Sequence, residues 1–168
     1  MGDWFEEEAG KEDQRRQKER DDLAARDREL ANVRQGGPLL LIQIRDRVKS
    51  EANRYSHRFT EPADRLTFMS EDDGFTLSRS GKPSVNLSVR ANWKTGTFTV
   101  TCHRKAAVFD EPTSAEEVYT LGGDTPEAVR IVNQGSNSID VASFCNHILA
   151  PVLFPLAQPS KDLTDSQR

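Results

Sequence analysis

The sequence predicts an α+β fold: a charged N-terminal helical arm, a long amphipathic helix, an antiparallel β-meander of about five or six strands, and a C-terminal helix packed with the first on one sheet face. Three observations predict it. Apolar residues recur at steps of three and four from Leu41 to Phe59. From Leu66 the period falls to two and stays there through "SVNLSVRANW". The helical period returns in "SNSIDVASFCNHILAPVLFP".

The arm comes first. Residues 1–35 carry 19 of the chain's 50 charges, 11 acidic and 8 basic, whereas the other 133 residues have an ordinary globular charge density. "KEDQRRQKERDDLAARDRELANVRQ" lacks Gly and Pro. Glu7–Lys11, Glu12–Arg16 and Asp22–Arg26 set an acid four residues before a base, which supports a helix by a few tenths of a kcal/mol each (about 0.2–0.5). Large apolar residues are few: Trp4, Phe5, Leu23, Leu30 and Val33. That seam is too short for a coiled coil. Two readings remain: a solvated helix whose last turns dock on the domain, or a partner-binding arm anchored by Trp4, Phe5, Leu23 and Leu30.

Gly36-Gly37-Pro38 reads as a hinge, with Gly ending one helix and Pro opening the next. In the second helix Leu41, Ile44, Val48, Ala52, Tyr55 and Phe59 form one stripe. Its other faces have a surplus of basic residues, the arm a surplus of acidic ones, so the hinge predicts an antiparallel helical hairpin.

The meander follows. "LTFMS" and "FTLSR" flank the four-residue loop "EDDG", with Leu66, Phe68, Phe75 and Leu77 on one side. In the next strand Val85, Leu87, Val89, Ala91 and Trp93 share a face. A two-residue Thr95-Gly96 turn would then pair Trp93 with Phe98, Ala91 with Val100 and Val89 with Cys102. "EEVYTLGG" and "EAVRIVNQG" read as two shorter strands, and "KAAVFDEPTSA" as an excursion before them. In the last helix Ser138 or Asp140 is the N-cap, Val141, Phe144, Cys145, Ile148, Leu149 and Val152 form the stripe, and Pro151 and Pro155 limit its end. The division is thus an arm at 1–35, a domain at 38–156 and a polar tail, expected to be disordered, at 157–168.

Composition narrows function. A net charge of −4 disfavours general nucleic-acid binding. The longest strongly apolar run, Leu39 to Ile42, is too short for a membrane span. The start lacks a secretory pattern, and Glu6 weakens a myristoylation reading. A cytoplasmic chain is expected.

Cys102-His103 and Cys145-x-His147 invite a metal or nucleophile reading. Strand alternation places Cys102 inward and His103 outward, and about 200° of helical rotation separates Cys145 from His147. Ligand pairs split in this way do not converge, so neither a metal nor a cofactor is expected. Asp140, Ser143 and His147 share a helix face, but a catalytic triad needs each group aimed at the next, and no catalytic residue is assigned. A polar sheet face remains, with Arg90 opposite Thr101 and Ser88 opposite His103, as a candidate ligand surface.

The expected function is therefore a non-catalytic protein–protein interaction or adaptor protein that uses the arm to hold a protein partner, or to self-associate. The alternative is a small-ligand binding protein using a pocket between sheet and helices or the Arg90/His103 face. An enzyme has the least support, since only His103 and His147 speak for it.

Overall fold

Helix-forming residues dominate from Lys11 to Gln35, and the chain keeps one helix from Asp3 through the apolar stripe. In the computed structural model, which describes residues 3–106, 109, 111–133 and 135–155, α1 spans Asp3–Arg58, 56 residues. At 1.5 Å per residue that is a rod of about 84 Å. The expected break and hairpin at Gly36-Gly37-Pro38 are overturned, because the helix continues through all three residues.

The glycines have another purpose. A Cβ on Gly36 would lie 1.8 Å from the Pro126 carbonyl oxygen, and one on Gly37 would lie 2.4 Å from the Trp93 ring. Only a bare backbone fits between these neighbours. Tertiary contact therefore holds a helix where local propensity predicts a stop.

Beyond this crossing, Leu41, Ile44, Val48, Ala52 and Tyr55 are buried, as their spacing predicts, and Leu40 joins them, whereas Phe59, the expected end of the stripe, lies past the last helical residue and is 38% exposed. Each large apolar side chain so buried contributes about 1.5–3 kcal/mol. They rest on a seven-stranded antiparallel sheet in simple sequential order. Its strands are β1 (Leu66–Glu71), β2 (Gly74–Arg79), β3 (Ser84–Asn92), β4 (Thr97–Lys105), β5 (Thr113–Gly122), β6 (Arg130–Val132) and β7 (Ser138–Ile139). Helix α2 (Val141–Leu153) lies beside α1 on the same face.

Two strands differ from expectation. β5 begins at Thr113, inside the expected excursion, because Thr113–Ala115 pair with Cys102–Arg104. β7 is additional: Ser138 and Ile139 pair with Val132 and Ile131 instead of opening the helix. A two-residue strand has too few residues to show a period. Asp140 then caps α2, its carboxylate accepting from the Ser143 N–H at 2.8 Å. The helix passes through Pro151 to Leu153.

Parity holds and register moves. Val85, Leu87, Val89, Phe98 and Val100 are buried on the helix side, with Ala91, Trp93 and Cys102 against them. Their partners, however, are Ala91↔Phe98, Val89↔Val100 and Leu87↔Cys102, two residues from the expected register. The loop has four residues, Trp93 to Gly96. The Asn92 side chain accepts from the N–H groups of Lys94 and Thr95, and Gly96 closes the turn at φ +65°. That conformation favours glycine. The β1–β2 loop is shorter than expected, Asp72-Asp73 alone, since Glu71 pairs with Gly74. Arg45 on α1 donates to the carbonyls of Glu71, Asp72 and Gly74 and so clamps this turn to the helix.

The far end of α1 is tied by charge. Asp64 accepts from Arg79 at 2.5 Å and from the Tyr55 hydroxyl at 3.1 Å, and Arg79 also donates to the Leu153 carbonyl. Both α1 and α2 are thereby anchored to β2. The expected tail at 157–168 lies outside the described residues.

Candidate functional site

The arm is almost wholly exposed from Asp3 to Glu29. From Asp3 to Arg28 every side-chain hydrogen bond among the described residues stays within the helix. Glu7–Lys11 and Glu12–Arg16 close to 2.9 and 2.8 Å, as the spacing predicts, whereas the expected Asp22–Arg26 pair is not among the ion pairs of the described residues. Hydrogen bonds from Arg15 and Arg16 hold the Glu12 carboxyl down at about 2. Trp4, Phe5 and Leu23 are 73%, 67% and 59% exposed. Phe5 and Leu23, 18 residues apart, fall on one line along the helix about 27 Å apart. Leu30 differs: it is half-buried, and its side chain reaches the Gly96 turn. Docking begins there, with Asn32 donating to the Gly123 and Asp124 carbonyls and Arg34 to the Trp93 carbonyl.

The polar sheet face does not assemble as expected. The two-residue change of register sets Arg90 opposite Thr99, Ser88 opposite Thr101 and Asn86 opposite His103. Arg90 and His103 are thus separated by four residues along the strands, about 13 Å. Arg90 reaches across side-chain-free Gly74 to Glu71 at 2.9 Å. His103 instead lines a shallow cleft of about 280 Å³ with Ser78, Asn86 and Lys105. The four residues therefore share a face but no pocket.

The cysteines and histidines divide as strand and helix directions require. Cys145 is wholly buried, Cys102 packs against the core, and both His103 and His147 are exposed. Burial raises both thiols, Cys145 to about 11. Among the described residues no three His, Cys, Asp or Glu side chains gather in a metal-binding group.

His147 has a partner that sequence reasoning missed. Its Nε2 lies 2.9 Å from Glu117 on β5, and the Tyr119 hydroxyl donates to the same carboxylate oxygen. Burial pushes the Glu117 carboxyl up, but the hydrogen bonds from Tyr119 and His147 outweigh it and leave it below its ordinary value. Burial and that shared hydrogen bond push the Tyr119 phenol up. Strand parity with inward Leu121 was the available signal, since it puts Glu117 and Tyr119 on the helix side. Ser143 meanwhile donates its hydroxyl to Asp140 at 2.7 Å, so the Asp–Ser–His series along α2 is split between two separate interactions. The Glu117 cluster ties α2 to β5.

A further concave site is a groove of about 330 Å³ between α1 and β1. Its apolar lining is Ala52, Leu66, Phe68 and Leu77, with Lys49 and Asn53 at its rim. Phe68 stacks on Phe75 with ring centres 5.6 Å apart and stays half-exposed. Among the described residues no helix is long and apolar enough to cross a membrane. No protein-family model, curated protein or solved structure matches the chain.

Proposed function

We infer that the protein is a non-catalytic interaction or adaptor protein whose N-terminal arm is the partner-binding element. The observation that carries this reading is the exposure of Trp4, Phe5 and Leu23 on a helix that, among the described residues, makes no side-chain hydrogen bond to the body before residue 29. Apolar side chains displayed along a helical rod suit the groove of a partner protein, and the flanking acids suit a basic rim around it. A reducing, cytoplasmic setting fits a buried Cys145 thiol raised to about 11. The net charge of −4 fits a protein partner better than a nucleic acid.

The test uses the full chain. Replacing Trp4 and Phe5 together by alanine should weaken capture of the protein's partner from native lysate at least tenfold, about 1.4 kcal/mol, while the melting midpoint stays unchanged. Equal capture by both proteins would refute the reading. A second reading rests on the α1–β1 groove, whose volume falls in the range of small-ligand sites, about 300–1,000 Å³. It predicts an apolar ligand whose binding is weakened by Phe68→Ala and is indifferent to Trp4 and Phe5.

A further inference from the structure

The two edges of the sheet are unequal. β7 ends one side with two residues, a length that offers little to a neighbouring strand. β1 ends the other with six, "LTFMSE", which contains no Lys, Arg or Pro. Those are the usual devices that keep an edge from pairing with another chain.

The backbone directions at this edge follow from the hairpin. The Arg65 carbonyl accepts from the Ser80 N–H, and Glu71 pairs with Gly74 across the turn, so odd-numbered residues point their N–H and C=O groups at β2. Alternation then turns the groups of Leu66, Phe68 and Ser70 outward along the free edge. Among the described residues the sheet supplies no further strand to meet them.

We propose that a second copy of this chain pairs here, β1 antiparallel to β1, about a two-fold axis that passes through Phe68. This register brings each outward residue opposite another: Phe68 faces the second copy's Phe68, and Leu66 faces its Ser70, giving six backbone hydrogen bonds. Thr67 and Met69 pair on the open face, where Met69 is 61% exposed. At the ends of the pairing, Arg65 of one copy meets Glu71 of the other. A shift of the axis by one residue loses an outward pair and that charge match. Both copies keep their helices on the same side, so the two α1–β1 grooves face each other and the half-exposed Phe68 rings meet within about 5 Å.

The full-length protein should sediment as a dimer whose dissociation constant lies in the micromolar range. Ser70→Pro removes an outward N–H without touching the β1–β2 ladder, which suits an edge strand, and should weaken the dimer about tenfold or more. Arg65→Glu sets two carboxylates face to face and should weaken it as well. In the unmodified protein, hydrogen exchange at Leu66, Phe68 and Ser70 should slow as concentration rises. Exchange at those amides that is independent of concentration would overturn the proposal, and so would a dimer indifferent to Ser70→Pro.

Discussion

Residues 3–28 and 29–58 form one helix, yet they are helical for different reasons. The first half has local support only: short ion pairs such as Arg15–Glu12 at 2.8 Å and Lys11–Glu8 at 2.9 Å, on the solvent-exposed surface. Such solvent-screened pairs add little, and isolated helices of this kind are marginal in water. The second half has tertiary support: buried Ile44 and Val48, glycines against the Pro126 backbone and the Trp93 ring, and side chains that clamp strands. Continuity of a helix in space therefore does not imply uniform stability along it.

Substitutions divide the two halves most sharply in the core. Ile44→Ala should lower unfolding free energy by about 2–5 kcal/mol, whereas Leu23→Ala should stay within about 0.5 kcal/mol of the parent; denaturant titration measures both. A comparable loss from Leu23→Ala would mean the arm is part of the folding unit. Next comes the charged anchor of the docked half. Asp64→Ala leaves Arg79 and Tyr55 without their shared acceptor and should cost about 1.5–3 kcal/mol.

Glycine gives the most direct contrast, because the same change should have opposite signs. Gly36→Ala should destabilise by about 1–3 kcal/mol despite alanine's better helix propensity, since its methyl meets the Pro126 carbonyl. Gly10→Ala, with open space around it, should favour the arm helix by about 0.5–1 kcal/mol, read from Cα chemical shifts. Equal signs would refute the division.

The smallest effect is titration within the arm. The Glu12 carboxyl lies at about 2 in the helix against an ordinary 4.5, so its support is complete above pH 4.5 and disappears as pH falls through about 2. Arm helicity should decline across that window, and Glu12→Gln should flatten the decline. The docked half should show no matching change from this group.

The same contrast explains which features were legible in the sequence. The burial of Val85, Leu87 and Val89 follows from alternation, because a one-residue slip exchanges core for solvent. A two-residue slip leaves every side chain on its face, so alternation could not separate a Thr95-Gly96 turn from the loop that Asn92 closes. The candidate sheet site depended on that choice: in the observed register Arg90 and His103 are far apart. Trp4, Phe5 and Leu23 were legible because exposure on a charged helix needs only local reasoning. The Glu117–His147 contact joins residues 30 apart on different elements, and no spacing rule reports it.

Residue periodicity by itself determined the class of the fold, the inward face of β3 and β4, the buried stripes of both helices and the opposite directions of each neighbouring thiol and imidazole. These depend on 3.6- and 2-residue repeats, which belong to the backbone of each element alone. Only the tertiary structure decided that Gly36-Gly37-Pro38 continues a helix, that β3 and β4 pair two residues away from the shortest turn, and that Arg45 and Asp64 act as clamps. Each of those outcomes rests on atoms brought close by folding, the Pro126 carbonyl and the Trp93 ring above all, and contact energies between distant segments outweigh the preferences of the few residues in between.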